Sequence, residues 1–245
     1  MHDVESLERR ERTNEHGAAV ADAPSDRVHA PVHAVDAVDI GGARRPVQVG
    51  GNTLVELAAS RGASIPESRV IADVPAGFIS FCTRFADQCS IPEKGPSRIT
   101  LTESVWQELN KVNDQINIAI RPIPDKAHFG RAEFWNIPTD GGGDCEDFAL
   151  TKRKELLLRG LPAAALRIAI VLTWRQERHA VLTIATDRGD FVLDSVERNV
   201  LNWNKTDFTW IQRQDPENAW GWVALSKASP SYLASIARAP LGSSQ

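Results

Sequence analysis

Residues 141–150 read GGGDCEDFAL: three glycines, an acid, a cysteine, two more acids and an apolar start to a helix. Asp144 stands where a helix N-cap is expected, Asp147 follows three residues later, and Gly160 before Pro162 marks the stop. The spacing therefore predicts a helix over 144–160 with Cys145 in its first turn. A sulfur at that position faces unpaired backbone N–H groups and the positive end of the helix dipole, which favours thiolate over thiol. The same N–H groups can donate to an oxyanion formed when a thiolate attacks a carbonyl. Glycines 141–143 would let a substrate backbone approach closely. The three acids work against this, because carboxylates beside a thiol raise its pKa. Two readings of Asp144, Glu146 and Asp147 stay open. They are solvated helix-capping acids, or they are oxygen ligands for a hard divalent cation, calcium being the natural choice.

Downstream, 166–173, 179–185 and 191–194 read as strands, with Asp187, Arg188 and Gly189 as turn residues between the last two. Four of the six histidines precede residue 34, which leaves His128 and His179 as bases for a domain built around Cys145. His179 opens the apolar strand HAVLTIAT, whereas His128 lies in a proline-rich loop, so His179 is the better candidate. Asp194 ends the run FVLD and could orient an imidazole. If Ala185 pairs with Asp190, Asp194 falls opposite Val181, on the same face as His179 and diagonal to it. Other registers separate the two. The plainer alternatives are a buried structural histidine and a turn-forming aspartate.

Working further outward, Val105, Leu109, Val112, Ile116 and Ile120 recur every three to four residues and predict an amphipathic helix over 102–120, with Thr102 as N-cap. Residues 121–143 hold prolines and glycines without a period and are expected to form a long surface loop. All sixteen Phe, Trp and Tyr residues lie at or beyond Phe78. The expected organisation is thus a largely disordered tail over 1–73, relieved by a helix-like stretch at 52–61, a domain over 74–228 and a C-terminal tail over 229–245. A helix followed by antiparallel strands suggests the α+β class. Most tryptophans are expected in the core, and Trp135 is the candidate for lining a substrate cleft.

Lys and Arg total 28 against 32 Asp and Glu, for a net charge of -4, so there is no broad basic field for nucleic acid. The best apolar run, 166–174, contains Arg167 and is too short to span a bilayer. The N-terminal MHDVESLERRERTNEH lacks the apolar stretch and cleavage site of a secretory signal, so export is not expected from it. Cys82 and Cys89 form a close pair that is either a disulfide or two reduced buried thiols. Oligomeric state cannot be read from these features.

Together, FISFCTRFADQC at 78–89, GGGDCEDFALTKRKELLLRGLP at 141–162, RHAVLTIATDRGDFVLDS at 178–195 and WIQRQ at 210–214 resemble the bacterial transglutaminase-like cysteine peptidases. That family includes the periplasmic adhesin-processing protease. The resemblance implies a papain-like or transglutaminase-like fold with Cys145 as nucleophile, His179 as general base and then acid, and Asp194 orienting it. It also implies calcium beside the site, the acids at the matching motif being Asp144, Glu146 and Asp147. The implied partner is a protein substrate, with a large surface adhesin as one candidate, and the implied location is the periplasm. The charged N-terminus points instead to the cytoplasm. Peptide hydrolysis is the leading activity; acyl transfer to an amine and a catalytically silent calcium-dependent binding module are the alternatives.

Overall fold

The computed structural model describes residues 62, 64–68, 70–90 and 95–225. The stretch at 52–61, the rest of the expected N-terminal tail before residue 62 and the expected tail at 229–245 lie outside these residues. Helices come first: α1 (Ala76–Arg84), α2 (Glu103–Ala119), the single turn α3 (Asp125–His128) and α4 (Cys145–Leu158). Two short strands, β1 (Arg121–Pro122) and β2 (Gly142–Gly143), pair in parallel just before α4. Then follow β3 (Leu166–Leu172), β4 (Arg178–Thr186), β5 (Gly189–Leu193), β6 (Leu201–Asn202), β7 (Thr209–Gln214) and β8 (Trp222–Ala224). The six form one antiparallel sheet in the order β6-β5-β4-β3-β7-β8. Mixed helix and antiparallel sheet is the expected α+β class.

β3 and β4 are buried at every position because they run through the middle of the sheet with both faces covered. On one face Ile168, Ile170, Ala180 and Leu182 pack with Leu109 and Val112 of α2 and Ala149 and Leu156 of α4. On the other face Ala169, Val171, Val181 and Val192 form a second cluster with Trp210, against which Phe208 packs. Full burial of one Leu or Val side chain stabilises by roughly 1.5–3 kcal/mol, so this sandwich fixes where α4 can lie.

Local chemistry sets the element ends. Thr102 Oγ1 accepts from Val105 N at 3.2 Å and starts α2. α4 ends in a Schellman motif, with Leu161 N donating to Leu156 O and Gly160 N to Leu157 O, and Gly160 takes a φ of 84° that L side chains avoid. In the β4–β5 hairpin Ala185 pairs with Asp190 and Leu182 with Leu193. This is the register that brings Asp194 diagonal to His179.

Three expectations change. Residues 121–143 are not simply laid over the surface: they carry β1, α3 and β2, and they bury Asp125 and Trp135. Trp135 therefore does not line a cleft. It is fully buried with Phe78 and Trp222, and a Cβ on Gly77 would come within 2.1 Å of its ring. The boundary expected at Val74 falls inside packed chain, since Ser68 N donates to Ala224 O, Ala224 N to Val70 O and Ala72 N to Trp222 O. That stretch adds to the sheet edge beyond β8, a role too short and irregular to leave a period in the sequence. Cys82 and Cys89 are disulfide-bonded. No helix among the described residues is long and apolar enough to cross a membrane.

Candidate active site

α4 begins at Cys145, as the spacing predicts, and its first two turns are buried on all sides, from Cys145 through Leu150. The sulfur is reached from the sheet: Ala180 N, the residue after His179, donates to Sγ at 3.5 Å. Sγ in turn donates to Glu146 Oε2 at 3.2 Å. Burial first, then the Glu146 and Asp144 carboxylates, push the Cys145 thiol well up.

His179 is fully buried, and its Nε2 lies 2.6 Å from Asp194 Oδ1. Side chains alternate along a strand, so His179 and Asp194 fall on the face that carries Val181 and Val192, while α4 packs on the other. Burial would raise the Asp194 carboxyl, but the His179 bond, the His179 charge and the Lys152 charge outweigh it and hold the carboxyl below its ordinary value. The loop after Asp194 is clamped from behind. Lys152 Nζ and Asn117 Nδ2 both donate to Asp194 O, at 2.8 and 2.9 Å, and Asn113 Nδ2 donates to the carbonyls of Glu197 and Arg198. Burial brings Lys152 down to about 7 against the opposing pull of Asp194. Neither asparagine nor this lysine stood out in the sequence; the only signal was a polar group on an otherwise core-facing stripe.

The acids are not solvated helix caps. Asp144 makes no capping hydrogen bond; its Oδ2 accepts instead from Asp125 N at 3.2 Å. Asp125, Asp144 and Glu146 each offer a carboxylate oxygen, and these atoms lie within 4.8 Å of one another. Asp147, expected among the ligands, stands outside this set: its Oδ1 accepts from Asn136 N at 2.6 Å. Its carboxylate fills the space where a Cβ on Gly143 would sit, 2.6 Å from Oδ2, so that glycine serves internal packing. The sequence missed Asp125, which lies 19 residues before Asp144 in a segment with no period. Burial, then Asp144, raise Asp125 to about 6 and Asp147 to about 9, and the same two causes raise Glu146 well up. Asp125 Oδ1, Asp144 Oδ1 and Asp147 Oδ2 are buried without a hydrogen-bond partner.

Arg178 is the other missed residue. Burial lowers its pKa, while the charges of Glu133, Cys145 and Glu146 oppose that. His128, the rejected base, is tied to Asp140 at 2.8 Å. A thiol at a helix N-terminus beside a buried imidazole–carboxylate pair is an arrangement able to attack a carbonyl and to hand a proton to the group that leaves.

Among solved structures the chain is similar to Legionella pneumophila LapG in its calcium-bound form, at 24% identity and a TM-score of 0.43, covering 63% of this chain and 87% of that one. It is also similar to the EGTA-treated form of LapG, at 25% identity and a TM-score of 0.42, covering 60% and 77%. No curated protein matches the chain. The family model for bacterial transglutaminase-like cysteine proteinases (BTLCP) matches residues 69–230, which include the helix with Cys145 and the strands with His179 and Asp194. The chain belongs to that family and is a transglutaminase-like cysteine peptidase.

Proposed function

We propose that the protein is an endopeptidase that hydrolyses a peptide bond in a protein substrate, a large surface adhesin being the candidate, through Cys145, His179 and Asp194. The observation that carries this is the buried 2.6 Å bond from His179 Nε2 to Asp194 Oδ1 beside the sulfur at the start of α4. With Nε2 directed at Asp194, Nδ1 is the nitrogen that takes the Cys145 proton. The thiolate adds to the scissile carbonyl carbon, and N–H groups at the start of α4 donate to the oxyanion. The imidazolium then gives its proton to the amide nitrogen as the C–N bond breaks, leaving a thioester on Cys145. Water adds to the thioester while His179 takes its proton. The C–S bond breaks, the acid is released and the thiol is restored.

The acids beside the sulfur suit a bound calcium ion. The donor set is all carboxylate oxygen, and Asp125 Oδ1 and Asp144 Oδ1 are buried without partners, which is costly unless a cation compensates them. Asp125, Asp144 and Glu146 are the residues that would hold it, and its charge would offset the carboxylates that raise the Cys145 thiol. We assign the reaction to the periplasm, a reading supported by the Cys82–Cys89 disulfide, because such bonds persist in oxidising compartments.

The test is alkylation of Cys145 by iodoacetamide in the full chain, followed by mass spectrometry across pH. The expected result is rapid labelling below about pH 8.5, the range of a free thiol, slowed both by chelator and by His179→Ala. Slow labelling indifferent to both would sink the reading. Incorporation of a labelled amine into an acceptor protein would assign acyl transfer instead.

A further inference from the structure

Beyond the His179–Asp194 pair lies a cavity of about 330 Å³ that the reaction has not used. Its lining includes Asp194 itself and Phe208, whose ring centroid lies 5.8 Å from that of His179. The remaining apolar lining comes from Trp174, Val192, Val196 and Leu201. Trp174, at the tip of the β3–β4 hairpin, is 73% exposed with the Arg175 guanidinium over its ring at 4.8 Å. Trp174 thus presents an aromatic face that is open to a ligand entering the cavity.

The chemistry fixes which half of a substrate can reach it. His179 must protonate the departing amide nitrogen, so that nitrogen sits on the imidazole side of the sulfur and the chain after the scissile bond leaves across the imidazole. Cys145 comes from the face of the sheet covered by α4, whereas His179 and Asp194 share the opposite face with Val192, a wall of the cavity. An extended chain advances about 3.3–3.6 Å per residue, so one or two residues past the scissile bond carry it over the ring and onto Phe208.

Resting on the hydrolytic reading above, we propose that the cavity lined by Trp174, Val196, Leu201 and Phe208 is the leaving-group subsite. It takes an apolar side chain from the first or second residue after the scissile bond. The wall formed by Val196 is rigid because Asn113, Asn117 and Lys152 hold the carbonyls of residues 194, 197 and 198 from behind, so the subsite is preformed. Trp174 is the exposed side, on a hairpin tip whose backbone is tied to Thr173.

The experiment is cleavage by the full chain of randomised linkers that join two folded reporter domains, with cut positions read by mass spectrometry. Apolar residues should be enriched in the two positions after the cut, and Trp174→Ala should lower kcat/KM on the enriched linkers by about tenfold, the worth of one lost aromatic contact. The rate and pH profile of Cys145 alkylation should stay those of the wild type, since Sγ is held by Ala180 N and Glu146 while Trp174 sits at the hairpin tip. Cutting without preference after the scissile bond, or a preference that survives Trp174→Ala, overturns the subsite and leaves the hydrolytic reading standing. No cutting, together with slow alkylation indifferent to His179→Ala, overturns both.

Discussion

Two groups of carboxylates, one at the start of α4 and one around buried Asp190 of β5, are treated in opposite ways. At the start of α4, Asp125, Asp144, Glu146 and Asp147 crowd together, three of their oxygens have no partner, and burial with mutual repulsion raises the carboxyl groups of Asp125, Glu146 and Asp147. In β5 Asp190 is fully buried too, yet Arg213 binds it at 2.8 Å, Arg98 at 3.3 Å and the Ile65 N–H at 3.1 Å. Arg167 and Arg213 both bind Glu67; burial would raise that carboxyl, but their charges outweigh it and hold it low. A buried acid matched by the chain's own cations is part of the scaffold, here one that ties residues 64–67 to the sheet. A buried acid left unmatched is prepared for something the chain does not contain.

The largest effect that would sharpen this contrast belongs to the buried His179–Asp194 pair. His179→Ala should lower kcat for peptide cleavage by about 10⁴-fold or more, measured on the folded variant, and should also lower the melting temperature, because it leaves buried Asp194 without its partner. A modest loss would mean that the buried pair with Asp194 is structural.

Next is the matched cluster. Arg213→Met strands Asp190 without its closest cation and should cost about 3–5 kcal/mol in urea unfolding, while Cys145 alkylation in the folded protein keeps its rate. If the variant is as stable as the wild type, the matched cluster is no scaffold and the comparison breaks.

The unmatched cluster should behave in the reverse sense. Asp144→Asn removes one of the crowded charges, so the chelated protein should gain stability by about 1 kcal/mol in urea unfolding, while the stabilisation conferred by calcium disappears. A variant that still gains stability from calcium as the wild type does would show that the ion binds elsewhere.

The smallest effect is a pH dependence whose sign follows from the raised carboxyls. In chelated protein Asp125 titrates at about 6 and Asp147 at about 9 when folded, against an ordinary value of 3.8, so the folded state holds more protons than the unfolded one between those limits. Stability from these groups is present below the unfolded value and is lost as pH rises through the folded ones. Calcium prefers the deprotonated acids, so the gap in melting temperature between calcium-loaded and chelated protein should widen from about pH 5 to about pH 8. A gap that narrows over that range would argue against carboxylate ligands.

Some of this was legible beforehand, for reasons that are local. The turn at Asp187 to Gly189 sets which residues of β4 and β5 face one another, and strand alternation then carries His179 and Asp194 to the same side. A glycine at 160 and a hydroxyl at 102 similarly mark where α4 ends and α2 begins, because each satisfies backbone groups a few residues away. Asp125 was not legible. It reaches Asp144 only because β1 and β2 pair and bring the two segments back together, and no spacing along the chain records that. Trp135 was misjudged for the same reason: it is packed away against Gly77, while Trp174 and Trp220 are the tryptophans that stand exposed.

By itself, then, the amino-acid sequence determined the elements that carry Cys145, His179 and Asp194, since hydrogen bonds between near neighbours and the periods of helix and strand are short-range properties, while the register that sets the last two diagonal, one of several open beforehand, came from the structure. Only the tertiary structure decided that the acids of α4 are buried, that Asp125 rather than Asp147 groups with Asp144 and Glu146, that Cys82 meets Cys89, and that a cavity opens beside Phe208. Each of these depends on which surfaces meet when the helices close on the sheet, and on how much water is left between them.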